Sequence, residues 1–166
     1  FNGYIQIKDE YKLQLSLVFA DVTSIIPVIN REESTEDVFL LGSILNETLH
    51  SIKSKIKNQN IYFYDQYGKE ITNLDATVKT SISIVVKDNK TNEILDQVII
   101  VVKGDINGDG KINVSDYNMI VNHINKRNPI LKEKLLAALI TADNKINVSD
   151  LNALTNHING KINLFA

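Results

Sequence analysis

The stretch Asp105-Ile106-Asn107-Gly108-Asp109-Gly110-Lys111-Ile112-Asn113-Val114-Ser115-Asp116 decides how this chain is read. Oxygen-bearing side chains stand at its positions 1, 3, 5, 9 and 12, and glycine stands at position 6. Calcium gathers about six to eight oxygens around one point, and a loop with this spacing bends around such a point. Asp105, Asn107 and Asp109 are expected to offer side-chain oxygens, Lys111 its backbone carbonyl, Asn113 an oxygen directly or through water, and Asp116 the closing carboxylate. Gly110 supplies the sharp bend, and Ile112 is expected to pack inward or to pair its backbone with a second loop.

A second loop is present because the sequence repeats. Ile112-Asn113-Val114-Ser115-Asp116 returns as Ile146-Asn147-Val148-Ser149-Asp150, and Asn122-His123-Ile124-Asn125 returns as Asn156-His157-Ile158-Asn159, both at an offset of 34 residues. Two loop-and-helix repeats at one period imply a pseudo-twofold unit rather than a long solenoid. Between them Pro129 is expected to open a linking helix that runs through residues 132–138. The second loop, residues 139–150, is degenerate: Leu139 replaces the first carboxylate, Thr141 replaces asparagine, and Asn144, which tolerates left-handed backbone, replaces the bending glycine. Its remaining ligand set is Thr141, Asp143, Lys145, Asn147 and Asp150, with carboxylates only at Asp143 and Asp150. The expected cofactor is therefore Ca2+, held at one strong site and at a second that is weak or empty. The other account of the second loop is that packing keeps its shape, with Leu139 turned into the core.

Residues 97–102 are strand-like and Gly104 precedes the first ligand, so each repeat is a loop followed by an exit helix only. Upstream, loose alternation over 4–28 reads as one or two strands. Val38, Leu41, Leu45, Leu49, Ile52 and Ile56 step by three or four, which predicts a helix over about 35–57, opened by a cap from Ser34 and Asp37. Ile61-Tyr62-Phe63-Tyr64 is an expected strand that ends at the turn Tyr67-Gly68-Lys69, and 81–86 with 97–102 form an expected hairpin. The first hundred residues thus read as a small α+β or β-rich, sandwich-like domain with one helix (1–103), followed by an all-α module (104–166).

Bulk properties bound the rest. The chain has 166 residues, 43% hydrophobic and 23% charged, which fits an ordinary globular protein. A net charge of −2 offers no broad attraction to nucleic acid or to anionic membranes. No run approaches the roughly 20 apolar residues that cross a bilayer, and the start lacks a basic segment followed by an apolar one, as in a fragment or a mature form. No cysteine is present, so disulfides and thiolate metal sites are excluded.

Residues 105–162 resemble a dockerin, with two loop-helix (F-hand) calcium motifs, a linking helix, and aspartate rather than glutamate at position 12. The resemblance implies a calcium-dependent docking module that binds a cohesin domain of a scaffold or surface protein. Such modules assemble secreted or cell-surface complexes, cellulosome-like, that degrade polysaccharides. The expected location is extracellular, attached to a bacterial surface through the partner, with a monomer before docking and no nucleic acid or membrane partner. The part before residue 104 is similar to the small X modules that precede dockerins. In the family, partner contacts come from loop positions 10 and 11 and the exposed exit-helix face. Here these are Val114, Ser115, Val121, Asn122 and Lys126, with Val148, Ser149, Thr155, Asn156 and Gly160 as counterparts. Two similar faces allow two docking orientations, which Lys126 against Gly160 should bias.

Ser115 and Ser149 are placed to cap their helices, and His123 and His157 to serve helix packing rather than metal. Phe165 is placed to fold back near Val101 and Val102. No catalytic residue is expected: His50 stands alone on its helix facing solvent, and no nucleophile elbow or phosphate loop is present. A calcium sensor is disfavoured by the single methionine and the missing leading helix. The alternative is a cell-surface or carbohydrate-binding module with a purely structural calcium site, for which Tyr62 and Tyr64 share a strand face.

Overall fold

The computed structural model describes residues 38–43, 46–55, 60–141 and 143–165. The strands expected over 4–28 and the cap at Ser34 and Asp37 lie outside the described residues. Strands β3 (Ser83–Lys87) and β4 (Ile94–Val102) form the expected hairpin, and β2 (Ile61–Tyr64), the expected aromatic strand, adds antiparallel to β3, with Phe63 opposite Ile84 and Ile84 opposite Val98. The β3–β4 turn is closed by Asp88, whose Oδ1 accepts from the backbone amides of Lys90 and Thr91.

The long helix expected over 35–57 is a strand and a shorter helix. β1 (Val38–Ser43) runs parallel to β4 at the sheet edge, giving the order β1-β4-β3-β2, and α1 is only Leu49–Lys55. Val38-Phe39-Leu40-Leu41 is a β-prone run, and pairing it with β4 satisfies an edge that would otherwise lie open. The working helix start is Thr48, whose hydroxyl accepts from the Ser51 amide at 3.2 Å. Seven residues are too few for a stable helix in isolation. Leu49 and Ile52 hold it in place by burying their side chains against Phe63, Ile84 and Ile100, at about 1.5–3 kcal/mol each.

Among the described residues no second sheet closes a sandwich. The inner sheet face is covered by α1 and by residues 71–78. Strand alternation then decides where the C-terminal region sits. Val98, Ile100 and Val102 point into the sheet core, whereas Ile99 and Val101 point the other way, into a second core with Ile106, Ile120, Ala137, Ala138 and Leu154. This second core is enclosed by α2 (Val114–Ile124), α3 (Glu133–Ala138) and α4 (Val148–Ile158). Pro129 does not open α3: the helix begins at Glu133 after Lys132, which holds φ at 54°. Phe165 packs on the sheet core that contains Val102, as expected, and Leu164 packs on the second core.

Candidate functional site

The two repeats share the bonds that join each loop to its helix. In each, the position-12 aspartate is fully buried and gathers the start of its own loop. Asp116 Oδ1 accepts from the amides of Ile106 (2.8 Å) and Asn107 (3.0 Å), and Asp150 Oδ1 from those of Ile140 and Thr141 (both 2.8 Å). The second oxygen of each accepts from the amide of Asn113 or Asn147 at 3.0 Å. Asn113 and Asn147 are the N-caps of α2 and α4, each accepting from the amide two residues on, and each aspartate completes a capping box. The caps are therefore the asparagines, not Ser115 and Ser149, whose amides are the donors. A cap needs extended backbone with its side-chain oxygen turned back, and at φ −152° and −148° the asparagines supply that.

The loops differ at their first position. Asp105 is fully buried: Oδ1 accepts from the amides of Gly108 (3.1 Å) and Gly110 (3.3 Å), and Oδ2 from the amide of Thr80 (2.9 Å) on the sheet side. Gly108 and Gly110 hold φ at 76° and 82°, backbone that an L side chain rarely adopts. Asn107 and Asp109 face each other, with the Asn107 side-chain amide donating to Asp109 Oδ2 at 2.9 Å and the Asp109 amide to Asn107 Oδ1 at 2.9 Å. Asp109 Oδ1 also accepts from the Lys111 amide. Ile112 packs inward, within the second core.

Burial pushes the Asp105 carboxyl above its usual range, and the nearby charges of Asp116 and Asp109 push the same way, against amide bonds that pull it down. Burial likewise raises Asp116, with a further push from Asp109. The hydrogen bonds to these two buried carboxylates come from uncharged backbone amides. Buried charge of one sign without a counter-charge is costly, and each carboxylate keeps lone-pair capacity beyond its three donors. These residues fit a hard cation that brings positive charge and takes oxygen ligands. Among the described residues no cluster of three or more Asp, Glu or His side chains has the form of a metal site on its own. A cation here would need amide and main-chain oxygens beside the carboxylates.

The second loop lacks a carboxylate at its first position. Leu139 is half-buried at the end of α3 and offers no oxygen from its side chain. The Thr141 hydroxyl lies between two acceptors, Asp150 Oδ1 at 3.0 Å and Asp143 Oδ1 at 3.2 Å, and shares its one hydrogen between them. Asp143 is exposed, and its hydrogen bond from the Asn147 side-chain amide, with that from the Lys145 amide, holds its carboxyl below the usual range. Asn144 holds the left-handed turn at φ 58°, as expected of the residue that replaces glycine.

The residues expected to contact a partner range from exposed to half-buried. Val114 and Val148 are 63% and 57% exposed, so they are not buried loop residues. Ser115, Ser149, Lys126 and Gly160 are exposed, and Val121, Asn122, Thr155 and Asn156 are half-buried. Thr155 spends its hydroxyl on the Leu151 carbonyl at 2.7 Å. His123 accepts from the Ile130 amide at 2.9 Å through Nδ1, and His157 meets the returning chain at Leu164 and stands edge-on to Phe165. Each histidine thus ties down the segment that follows its helix, a packing role. Tyr62 and Tyr64 do share the outer sheet face, but the Lys87 ammonium sits over both rings, 4.7 and 5.1 Å from their centres. His50 is exposed.

What sequence reasoning missed is the contribution of Thr80. Nothing in residues 77–81 carries a ligand pattern, and its role rests on a main-chain amide placed by the fold.

Two loops, each gathered by a buried aspartate and each feeding one capped helix, with a short helix between, define a duplicated loop-helix module. Residues 103–159 match the family model of the dockerin type I domain, and this part of the chain is a dockerin domain. Dockerins are docking rather than catalytic modules; they bind cohesin domains and calcium, belong to cellulosome-like complexes, and occur typically in secreted or extracellular proteins. No curated protein matches the chain. No helix among the described residues is long and apolar enough to cross a membrane.

Proposed function

We propose that this chain is a calcium-dependent docking piece that fastens an extracellular protein to a cohesin domain in a polysaccharide-degrading assembly. It divides in sequence at 103/104 into an X-module-like sheet domain and the dockerin. The observation that carries the calcium part is the pair Asp105 and Asp116, fully buried, mutually repelling and bonded to amides alone. Asp105, Asn107, Asp109, the Lys111 carbonyl, Asn113 and Asp116 would hold the cation, which supplies the missing counter-charge and ties the loop to the start of α2. Because Asn113 Oδ1 already caps α2, its share in the shell is best met through water. The second loop, with Asp143 held by Asn147 and Leu139 in place of a carboxylate, is weak or empty.

The docking face is made of Val114, Ser115, Val121, Asn122 and Lys126 together with Val148, Ser149, Thr155 and Asn156. Its exposed valines give each half an apolar anchor. Calcium acts by ordering: with the loop closed, the two helices stand in register and present this face. The test is a binding screen of the whole chain against a panel of cohesins, with calcium and with chelator, repeated with Asp105→Ala. Binding that needs calcium and is lost with Asp105→Ala is the expected result; chelator-insensitive binding would sink the calcium mechanism.

A further inference from the structure

Resting on the calcium reading of the first loop, we infer that residues 77–81 of the sheet region are a working part of that site. Thr80 is the positioning residue that sets the loop's affinity, and calcium in turn clamps the sheet region onto the dockerin. Four contacts converge on this segment. The Thr80 amide donates to Asp105 Oδ2 at 2.9 Å, 25 residues away in sequence and fully buried. Its hydroxyl brackets Val102, donating to the carbonyl at 3.2 Å and accepting from the amide at 3.0 Å, so the last residue of β4 is fixed three positions before the first ligand. Its carbonyl lies so close to Gly108 that a Cβ there would stand 2.8 Å from the oxygen. Next to it, the Ser81 hydroxyl donates to Glu133 Oε1 at 2.7 Å, tying the segment to the first turn of α3.

The physical consequence follows from what a carboxylate ligand needs. Asp105 must be held in one orientation for its free lone pair to face the loop centre, and two of its three donors belong to that loop. The third, Thr80, belongs to the turn before β3 and fixes the other oxygen. If the segment moves, Asp105 loses that donor and the turn at Gly108 loses the surface it rests on. Whatever favours the ordered loop therefore favours the docked segment, and by linkage the reverse holds to the same degree. The second loop has no counterpart, since Leu139 brings no carboxylate to be positioned.

The whole chain is tested, first unmutated. Amide hydrogen exchange is followed in chelator and in saturating calcium. The Thr80 amide should slow at least about tenfold on adding calcium, in step with Gly108 and Gly110, while the turn amide of Lys90 stays unchanged. Calcium titration calorimetry then compares Thr80→Val and Thr80→Ser. Valine keeps the shape and the amide but leaves the Val102 groups without a side-chain partner, and calcium affinity should fall about threefold to tenfold. Serine, which keeps the hydroxyl, should restore most of it. A Thr80 amide indifferent to calcium, or wild-type affinity in Thr80→Val, overturns the inference while leaving the calcium site standing. Failure of the unmutated chain to bind calcium at all would instead overturn the reading on which it rests.

Discussion

Asp105→Asn separates the loop's charge from its shape. The amide keeps the size of the carboxylate and one acceptor oxygen, so two of the three donors can still be served if that oxygen occupies the Oδ1 position facing Gly108 and Gly110. The Thr80 amide then meets an NH2 group, at a cost of about 1–3 kcal/mol in calcium and in chelator alike. What differs between the two conditions is the response to calcium. For the unmutated chain at about 100 times Kd, binding adds about 2.7 kcal/mol. At roughly 2–4 °C per kcal/mol for a chain of this size, that raises Tm by about 5–11 °C. A buried anionic ligand is worth at least the about 1.5–3 kcal/mol of a charge-assisted bond, so its loss weakens binding roughly 10- to 150-fold. At a hundredfold loss, the same calcium concentration adds only about 0.4 kcal/mol, or roughly 1–2 °C. Scanning calorimetry of both proteins, each with calcium and with chelator, measures the two shifts. Equal calcium shifts in the two proteins would refute the argument that Asp105 is a charged ligand.

Four more outcomes follow. Leu139→Asp with Asn144→Gly restores the first carboxylate and the bending glycine of the second loop, and calorimetric calcium stoichiometry should rise by one; an unchanged stoichiometry would mean that the loop is closed to calcium for another reason. Asp150→Ala strips the partner from the buried amide of Ile140 and the half-buried amides of Thr141 and Asn147 and should cost about 2–4 kcal/mol by urea unfolding in chelator, with or without any metal role. Val114→Glu and Val148→Glu should each weaken cohesin binding less than tenfold if both orientations are used, whereas the double substitution should abolish it, as read by surface plasmon resonance. In chelator, the raised carboxyls of Asp105 and Asp116 hold their protons to higher pH than they would in the unfolded chain. Their contribution to stability is therefore full below the unfolded carboxylate range and is lost as pH rises through the raised folded range, so mild acid should stabilise the calcium-free protein. Calcium should remove or reverse that slope, since protons and cation compete for the same oxygens.

The C-terminal half was legible because its signals are local. Loop spacing, the period of 34 residues and the strand alternation of β4 all lie within short windows, and each dictates geometry through bend, cap or pleat. The upstream region was less so for a physical reason. Val38, Leu41 and Leu45 sit at helical intervals, but a six-residue strand and a seven-residue helix end to end leave the same marks in sequence. Only the vacant edge of β4, far later in the chain, selects the strand. The carboxylates Asp105 and Asp116 were readable as loop positions 1 and 12, whereas the contact from Thr80 was not, because a main-chain amide has no sequence signature. The serine caps failed for a related reason: serine and asparagine both favour the cap, and only backbone geometry shows that Asn113 and Asn147 occupy it.

The double duty of β4 bears on how this unit can be transplanted. A graft cut at residue 104 would carry the loops and helices but leave behind Ile99 and Val101, which fill the second core from the far side, and Thr80, which holds the first loop. The recipient would receive Ile106, Ala137 and Ala138 with one wall missing, and a first loop with one Asp105 oxygen unheld. A transferable cassette from this protein starts before β1 rather than at the family boundary, and borrowing the binding face means borrowing the sheet with it.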